Sequence, residues 1–137
     1  MSEIEVGEYV RTNKGRIAKL EDIDIEPNKK YYFFDETIYY SYGEAIDFLE
    51  EEEIEKHIKA HSKNIIDLIE KGDYVNGMRV IATENRGRYN EEKQKDEKVI
   101  LAENYDEWTE NGVISNEDIN TIVTKERFNN IIYKVVE

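Results

Sequence analysis

The chain has 137 residues, and its 32 acidic side chains outnumber 19 basic ones for a formal net charge of −13. That balance excludes a direct grip on nucleic acid or on an anionic membrane surface, since both demand a cationic face. Hydrophobic residues make up 39% and charged residues 37%, which suits one domain or two very small ones with a modest core, while ten Tyr and four Phe exclude a disordered chain.

In chain order, Val6-Gly7-Glu8-Tyr9-Val10 opens a predicted β-hairpin: Tyr9, Val10 and Thr12 are strand formers, Asn13-Lys14-Gly15 supplies the turn, and Arg16-Ile17-Ala18-Lys19-Leu20 alternates on return. Tyr31-Tyr32-Phe33-Phe34, a polar turn at Asp35-Glu36-Thr37, and Ile38-Tyr39-Tyr40 predict a second hairpin whose aromatics point to both faces. After Gly43, residues 44–60 carry Ile46, Leu49, Ile54 and Ile58 near helical spacing and predict an acidic helix, although Ile46 and Phe48 also suit a strand. Ser62 reads as a hydroxyl N-cap of a short helix at Lys63-Asn64-Ile65-Ile66.

Lys71-Gly72-Asp73-Tyr74-Val75 then echoes the opening motif, Asn76-Gly77 is a strong hairpin turn, and Met78-Arg79-Val80-Ile81-Ala82 returns. Residues 84–98 are almost wholly polar and predict a charged mobile loop or hairpin tip. Val99-Ile100-Leu101-Ala102 predicts a buried strand, Asn111-Gly112 a turn, residues 119–123 a strand, Thr124 an N-capped helical turn over 124–130, and residues 131–136 a closing strand. The expected fold class is α+β, mostly antiparallel β. It comprises two related small SH3-like lobes, residues 1–70 and 71–137, with short capped helices and one acidic helix.

Cysteine is absent, which rules out disulfides and thiol chemistry and fits a reducing cytosol. No apolar run approaches the eighteen or so residues of a membrane helix, and the first ten residues lack the regions of a signal peptide, so a cytoplasmic location is expected. The run from His61 through Ser62-Lys63-Asn64-Ile65-Ile66-Asp67-Leu68-Ile69-Glu70-Lys71-Gly72-Asp73-Tyr74-Val75 to Asn76-Gly77 resembles a family of small proteins of phages and prophages of Firmicutes. Glu5-Val6-Gly7-Glu8-Tyr9-Val10-Arg11-Thr12 resembles the start of that family, and Ile122-Val123-Thr124-Lys125-Glu126-Arg127-Phe128, with Tyr133-Lys134-Val135, its end. The resemblance implies a setting, the cytoplasm of a bacterial host, rather than a mechanism. Small accessory phage proteins often interfere with host defence, which favours an inhibitor over a metabolic enzyme.

The densest chemistry is acidic. Residues 21–55 hold thirteen acidic side chains against Lys29 and Lys30, and Asp47, Glu50, Glu51, Glu52, Glu53 and Glu55 are its centre. The ordinary reading is a solvated face; the functional one is a surface that mimics nucleic acid and docks on Arg and Lys of a binding groove. Tyr39, Tyr40 and Tyr42 precede this block and suit the anchor of such an interface. His57 and His61 stand four apart, but Ile58 occupies the place of the zincin Glu, so a surface or capping role is the simpler account. Asp22-Ile23-Asp24 and Asn116-Glu117-Asp118 lack the pattern of a calcium loop, and Ser62 lacks a nucleophile context. Arg79, Arg86, Arg88, Lys93, Lys95 and Lys98 form the basic concentration, cancelled by neighbouring acids.

These residues lead to the expectation of a non-enzymatic inhibitor without metal or cofactor. Its acidic surface, anchored by the three tyrosines, would block the basic groove of a host defence nuclease such as a CRISPR effector. The second reading is a protein that sequesters a small signalling nucleotide in a Tyr-lined pocket, at a lobe or homodimer interface, with Arg16 or Arg79 turned inward. The third is a structural or adaptor phage protein.

Overall fold

The structure, a computed structural model, describes residues 3–88 and 95–131. The chain falls into two compact units, Met1–Leu68 and Ile69–Glu137. The first contains β1 (Tyr9–Thr12), β2 (Ile17–Ile25), β3 (Lys30–Phe34), β4 (Tyr39–Ser41), β5 (Glu44–Ile46) and β6 (Phe48–Glu50). A 3₁₀ turn (Glu51–Glu53), α1 (Ile54–His57), β7 (Ile58–Ser62) and a second 3₁₀ turn (Ile65–Leu68) follow. Five strands form an antiparallel sheet in the order β6-β3-β2-β1-β7, and β4 pairs with β5 as a separate ribbon.

Alternation along these strands builds the core. Ala18 and Leu20 of β2 and Tyr32 and Phe34 of β3 point inward to meet Val10, Ile38, Leu49, Ile54 and Ile58. Tyr31 and Phe33 take the other face and pack edge-on or tilted against Phe48, with centroids 6.4 and 5.8 Å away. Arg11 is fully buried beside Val10, and its Nη1 donates to the Leu68 carbonyl at 2.8 Å. That bond ties the second 3₁₀ turn to β1.

Two expectations for this unit are corrected. Residues 44–60 are not one helix: Phe48, Leu49 and Glu50 pair with Phe33, Tyr32 and Tyr31, and helical backbone begins only at Glu51. An uninterrupted helix would have stacked like charges at i,i+4, whereas the strand lets Leu49 enter the core at 0% exposure. The aromatic run also does not fold onto residues 38–40. It is sandwiched between β2 and β6, and Tyr39 and Tyr40 pair with Ile46 and Ala45 instead.

The second unit contains β8 (Tyr74–Val75), β9 (Met78–Arg88), β10 (Lys95–Asp106), β11 (Asn111–Ile114), a 3₁₀ turn (Asn116–Asp118), β12 (Ile122–Val123) and α2 (Lys125–Ile131). Its sheet order is β11-β10-β9-β8-β12. As in the first unit, the opening strand pairs with the second and the last, a meander follows, and a 3₁₀ turn precedes the last strand. Both units are mostly antiparallel strand with few, short helices. The segment 84–98, expected as a charged mobile loop or hairpin tip, takes the hairpin form where it is described: Glu84 faces Val99, Arg86 faces Glu97 and Arg88 faces Lys95. Arg86 is held sideways as well, donating to Glu110 at 2.7 Å. Asn111-Gly112 lies in β11, one step past the turn. Thr124 precedes α2 and its carbonyl accepts from Phe128 N–H at 2.8 Å, as an N-cap should. The closing strand expected over 131–136 lies outside the described residues, apart from Ile131, which ends α2.

The echo between the two opening motifs has one geometric cause. Gly7 and Gly72 adopt φ of 95° and 97°, a region that side chains disfavour. Gly7 N–H donates to Leu20 O and Gly72 N–H to Val80 O, both at 2.9 Å. Glu8 and Asp73 then use their carboxylates to accept from the backbone N–H of Glu5 and Glu70, both at 2.7 Å. The carboxylates also reach the far end of each unit: Glu8 Oε2 lies 3.1 Å from His61 Nδ1 on β7, and Asp73 Oδ1 accepts from Lys125 N–H at 2.8 Å where α2 begins. Asp73 is fully buried. Replacing it by Ala strands two backbone N–H donors, so Asp73→Ala is expected to cost about 3 kcal/mol, read as a lowered midpoint in urea unfolding, with Asp73→Asn intermediate.

Candidate functional site

The acidic centre sits where β6 hands over to helical backbone. Glu51, Glu52 and Glu53 form the first turn and Lys56 and His57 the last, the polarity that the helix dipole favours. Because this helical segment starts at Glu51 rather than at residue 44, the acids stand at its beginning. Glu53 Oε1 accepts from Glu50 N–H at 3.2 Å and closes the turn.

Folding gathers most, not all, of these carboxylates. Glu51, Glu52 and Glu55 line a cleft of about 480 Å³ together with Glu3, over a floor of Ile4, Tyr32 and Ile54. Glu50, Glu51 and Glu52 line an adjoining cleft of about 250 Å³ with Lys29 and Lys30. Lys30 is common to both, and each lysine is claimed from within: Lys29 by Glu50 at 3.5 Å and Lys30 by Glu3 at 3.7 Å. The Glu50 carboxylate, with Tyr31 nearby, raises the Lys29 pKa above the ordinary lysine range. Burial first, and then the charge of Glu51, raise that of Tyr32. Glu53 turns instead toward His57, 4.0 Å away, and Asp47 lies exposed between β5 and β6, lining neither cleft.

The tyrosines stand apart from that acidic cleft. Tyr39 stacks on His57 at 4.7 Å and 21°, and the Arg16 guanidinium lies 4.9 Å from the Tyr40 centroid. Both rings border a separate cleft of about 200 Å³ with Lys14, Lys56 and His57. The expected aromatic hot spot rimmed by acid is thus, for Tyr39 and Tyr40, rimmed by cations. The environment of Tyr39 is mixed, since burial, then Glu53 and Glu50, raise its pKa above the ordinary phenol range. Tyr42 is different again. It occupies the tip of the β4–β5 ribbon at φ 50°, followed by Gly43 at φ 83°, and is fully exposed at 104%.

The sequence reading passed over Trp108. It is 88% exposed on the turn between β10 and β11, where its N–H donates to Asp106 Oδ1 at 2.9 Å. The available signal was a lone Trp inside Asp106-Glu107-Trp108-Thr109-Glu110, a run too polar to bury it. The histidines are absorbed locally, His57 by Tyr39 and His61 by Glu8. Ser62 Oγ donates to Asp67 at 2.6 Å and accepts from Asn64 N–H at 3.1 Å; it ends β7 and braces the turn, while the 3₁₀ segment starts at Ile65 after Asn64, so Ser62 is not its N-cap. Among the described residues no group of three or more His, Asp or Glu is placed to hold a metal ion, and no helix is long and apolar enough to cross a membrane. No protein-family model matches the chain, and no curated protein or solved structure matches it.

Crowded carboxylates repel, so the cleft is held together against its own charge. The triple variant Glu51→Gln, Glu52→Gln, Glu55→Gln is expected to be more stable than the native chain by about 1 kcal/mol at low salt. Added salt should narrow the gap in calorimetric melting; a variant less stable than the native protein at low salt would show that the carboxylates are structural.

Proposed function

We propose that this is a non-enzymatic, phage-encoded inhibitor that presents an electronegative surface to the nucleic-acid groove of a host defence nuclease, such as a CRISPR effector. The observation that carries the reading is the continuity of Glu3, Glu50, Glu51, Glu52 and Glu55 along two adjoining clefts. Carboxylates held in a line on a folded surface offer guanidinium and ammonium groups what successive phosphates offer them. The order of strands in each unit, with a 3₁₀ turn ahead of the last strand, supports a pair of SH3-like lobes as the scaffold. The repeated glycine-acid turn supports their common origin.

The exposed aromatics belong to the same reading. A Tyr at positive φ is strained relative to Asn or Gly, and the second unit solves the same turn with Asn76-Gly77 at φ 52° and 81°. Tyr42 therefore occupies a turn position for which it is poorly suited, with no burial in return. That is the signature of a side chain held for contact with a partner. Trp108, held out by its own capped turn, serves as a second anchor.

The test is competition between the protein and labelled nucleic acid for the host nuclease. Binding should weaken steeply as salt rises, and Glu50→Lys, Glu51→Lys, Glu52→Lys, Glu53→Lys in one chain should abolish inhibition while the fold persists. Inhibition equal at low and high salt would overturn the proposal. Tyr42→Asn should raise stability by about 0.5–1 kcal/mol and at the same time weaken partner binding, which thermal melts and the same competition assay read separately.

A further inference from the structure

We propose that the cationic, aromatic cleft between the β1–β2 turn and α1 binds a single nucleotide, with the base against the Tyr40 ring and the phosphate between Lys14 and Lys56. This site is distinct from the acidic surface and does not rest on the inhibitor reading. Among the described residues Lys29, Lys30, Lys63, Arg79, Arg86 and Lys125 all stand within 4 Å of a carboxylate. Lys14, Arg16 and Lys56 form no such pair with a described carboxylate, and neither do Lys19, Lys71, Lys98 and Arg127, but Lys14 and Lys56 line one cleft with Arg16 at the Tyr40 ring. Glu53, the acid nearest this cleft, lies 4.0 Å from His57 and accepts from Glu50 N–H. It is this grouping of cations beside two tyrosines, in an otherwise acidic protein, that offers an external anion a place to bind.

The walls are preformed. Asn13 N–H donates to the His57 carbonyl at 2.9 Å and Asn13 Nδ2 to the Lys56 carbonyl at 2.8 Å. These bonds lock the turn that carries Lys14 to the end of α1 and remove the ordering cost of bringing the two lysines together. Tyr39 is pinned by its stack on His57, whereas Tyr40 keeps 58% of its surface in solvent and carries Arg16 at its ring. An aromatic ring with an adjacent guanidinium is the platform that stacks a nucleobase, and it does so for every base. The volume, about 200 Å³, is smaller than that of typical drug-sized sites, so it would hold part of a mononucleotide with the rest in solvent, and nothing larger. A polyanion would meet the net charge of −13; a mononucleotide brings at most two negative charges, and beyond about 8 Å the remote carboxylates are screened at physiological salt.

The experiment is titration of the ¹⁵N-labelled full chain with AMP, GMP, CMP and UMP, with adenosine and inorganic phosphate as separate arms. At least one mononucleotide should bind saturably and shift the amides of Lys14, Tyr40 and His57, with adenosine and phosphate each about tenfold weaker or more. Tyr40→Ala and the double variant Lys14→Glu, Lys56→Glu should each weaken binding about tenfold while thermal melts confirm the fold. Glu51→Gln, Glu52→Gln, Glu55→Gln should leave it unchanged, which separates this site from the acidic surface. No saturable binding by any of the four, phosphate or adenosine alone binding as well as its nucleotide, or undiminished binding in the variants would overturn the proposal.

Discussion

In each unit one short strand carries hydrogen bonds on both edges, and a carboxylate at its start keeps it there. Glu8 and Asp73 each close a glycine turn onto the preceding backbone and also reach the residues that bring the chain back, His61 on β7 and Lys125 at the start of α2. First and last segments of a unit are thus joined through one side chain. A sheet whose opening strand pairs with its final strand has many non-local contacts and a correspondingly costly closure. A buried acceptor that is satisfied only when both ends are in place makes that closure cooperative. The two acidic residues that matter most for the fold are therefore different in kind from those that colour the surface.

Much of this was legible in sequence because turns have local chemistry. Asn76-Gly77, Asn13-Lys14-Gly15 and the repeated glycine-acid motif are written in residues whose backbone preferences act over three or four positions, and each appears where expected. What misled was periodicity in residues 44–60. Ile46, Leu49, Ile54 and Ile58 satisfy a helical spacing by accident, since they belong in turn to β5, β6, α1 and β7. The competing signal, β-branched and aromatic residues pairing across strands, depends on partners far along the chain and cannot be read from a local window. Residues 84–88 and 95–98 illustrate the same limit. Their polarity suits a loop or a hairpin tip alike, and only the cross-strand pairing decides for the hairpin, since a two-stranded ribbon needs little more than backbone hydrogen bonds to extend.

The candidate sites were legible in composition and not in grouping. The carboxylates of Glu50, Glu51, Glu52 and Glu55 were expected together because they are consecutive or nearly so. Glu3 joins them from the other end of the unit, which no local reading could supply. Tyr39 and Tyr40 were assigned to the acidic surface on sequence proximity alone. Strand alternation and the β4–β5 pairing carry them to Lys14, Arg16 and His57 instead. Trp108 was invisible because a lone Trp is by default a core residue; only the turn around it, made of acids and a capped backbone, places it in solvent.

Charge separation in the first unit is the step from which function follows. A protein with this excess of acid could pair nearly every cation internally, and Lys29, Lys30, Lys63, Arg79, Arg86 and Lys125 are so paired. The first unit instead keeps a run of carboxylates on one set of clefts and leaves Lys14, Arg16 and Lys56 beside exposed tyrosine on another. The helix dipole and the two lysines offset part of the repulsion in the first arrangement, but like charges crowded at i,i+4 still oppose it. Features that a fold maintains against its own electrostatics are explained by what arrives from outside. The proposed inhibitor would meet a cationic protein groove with the first, and the proposed nucleotide site a small anion with a flat ring with the second.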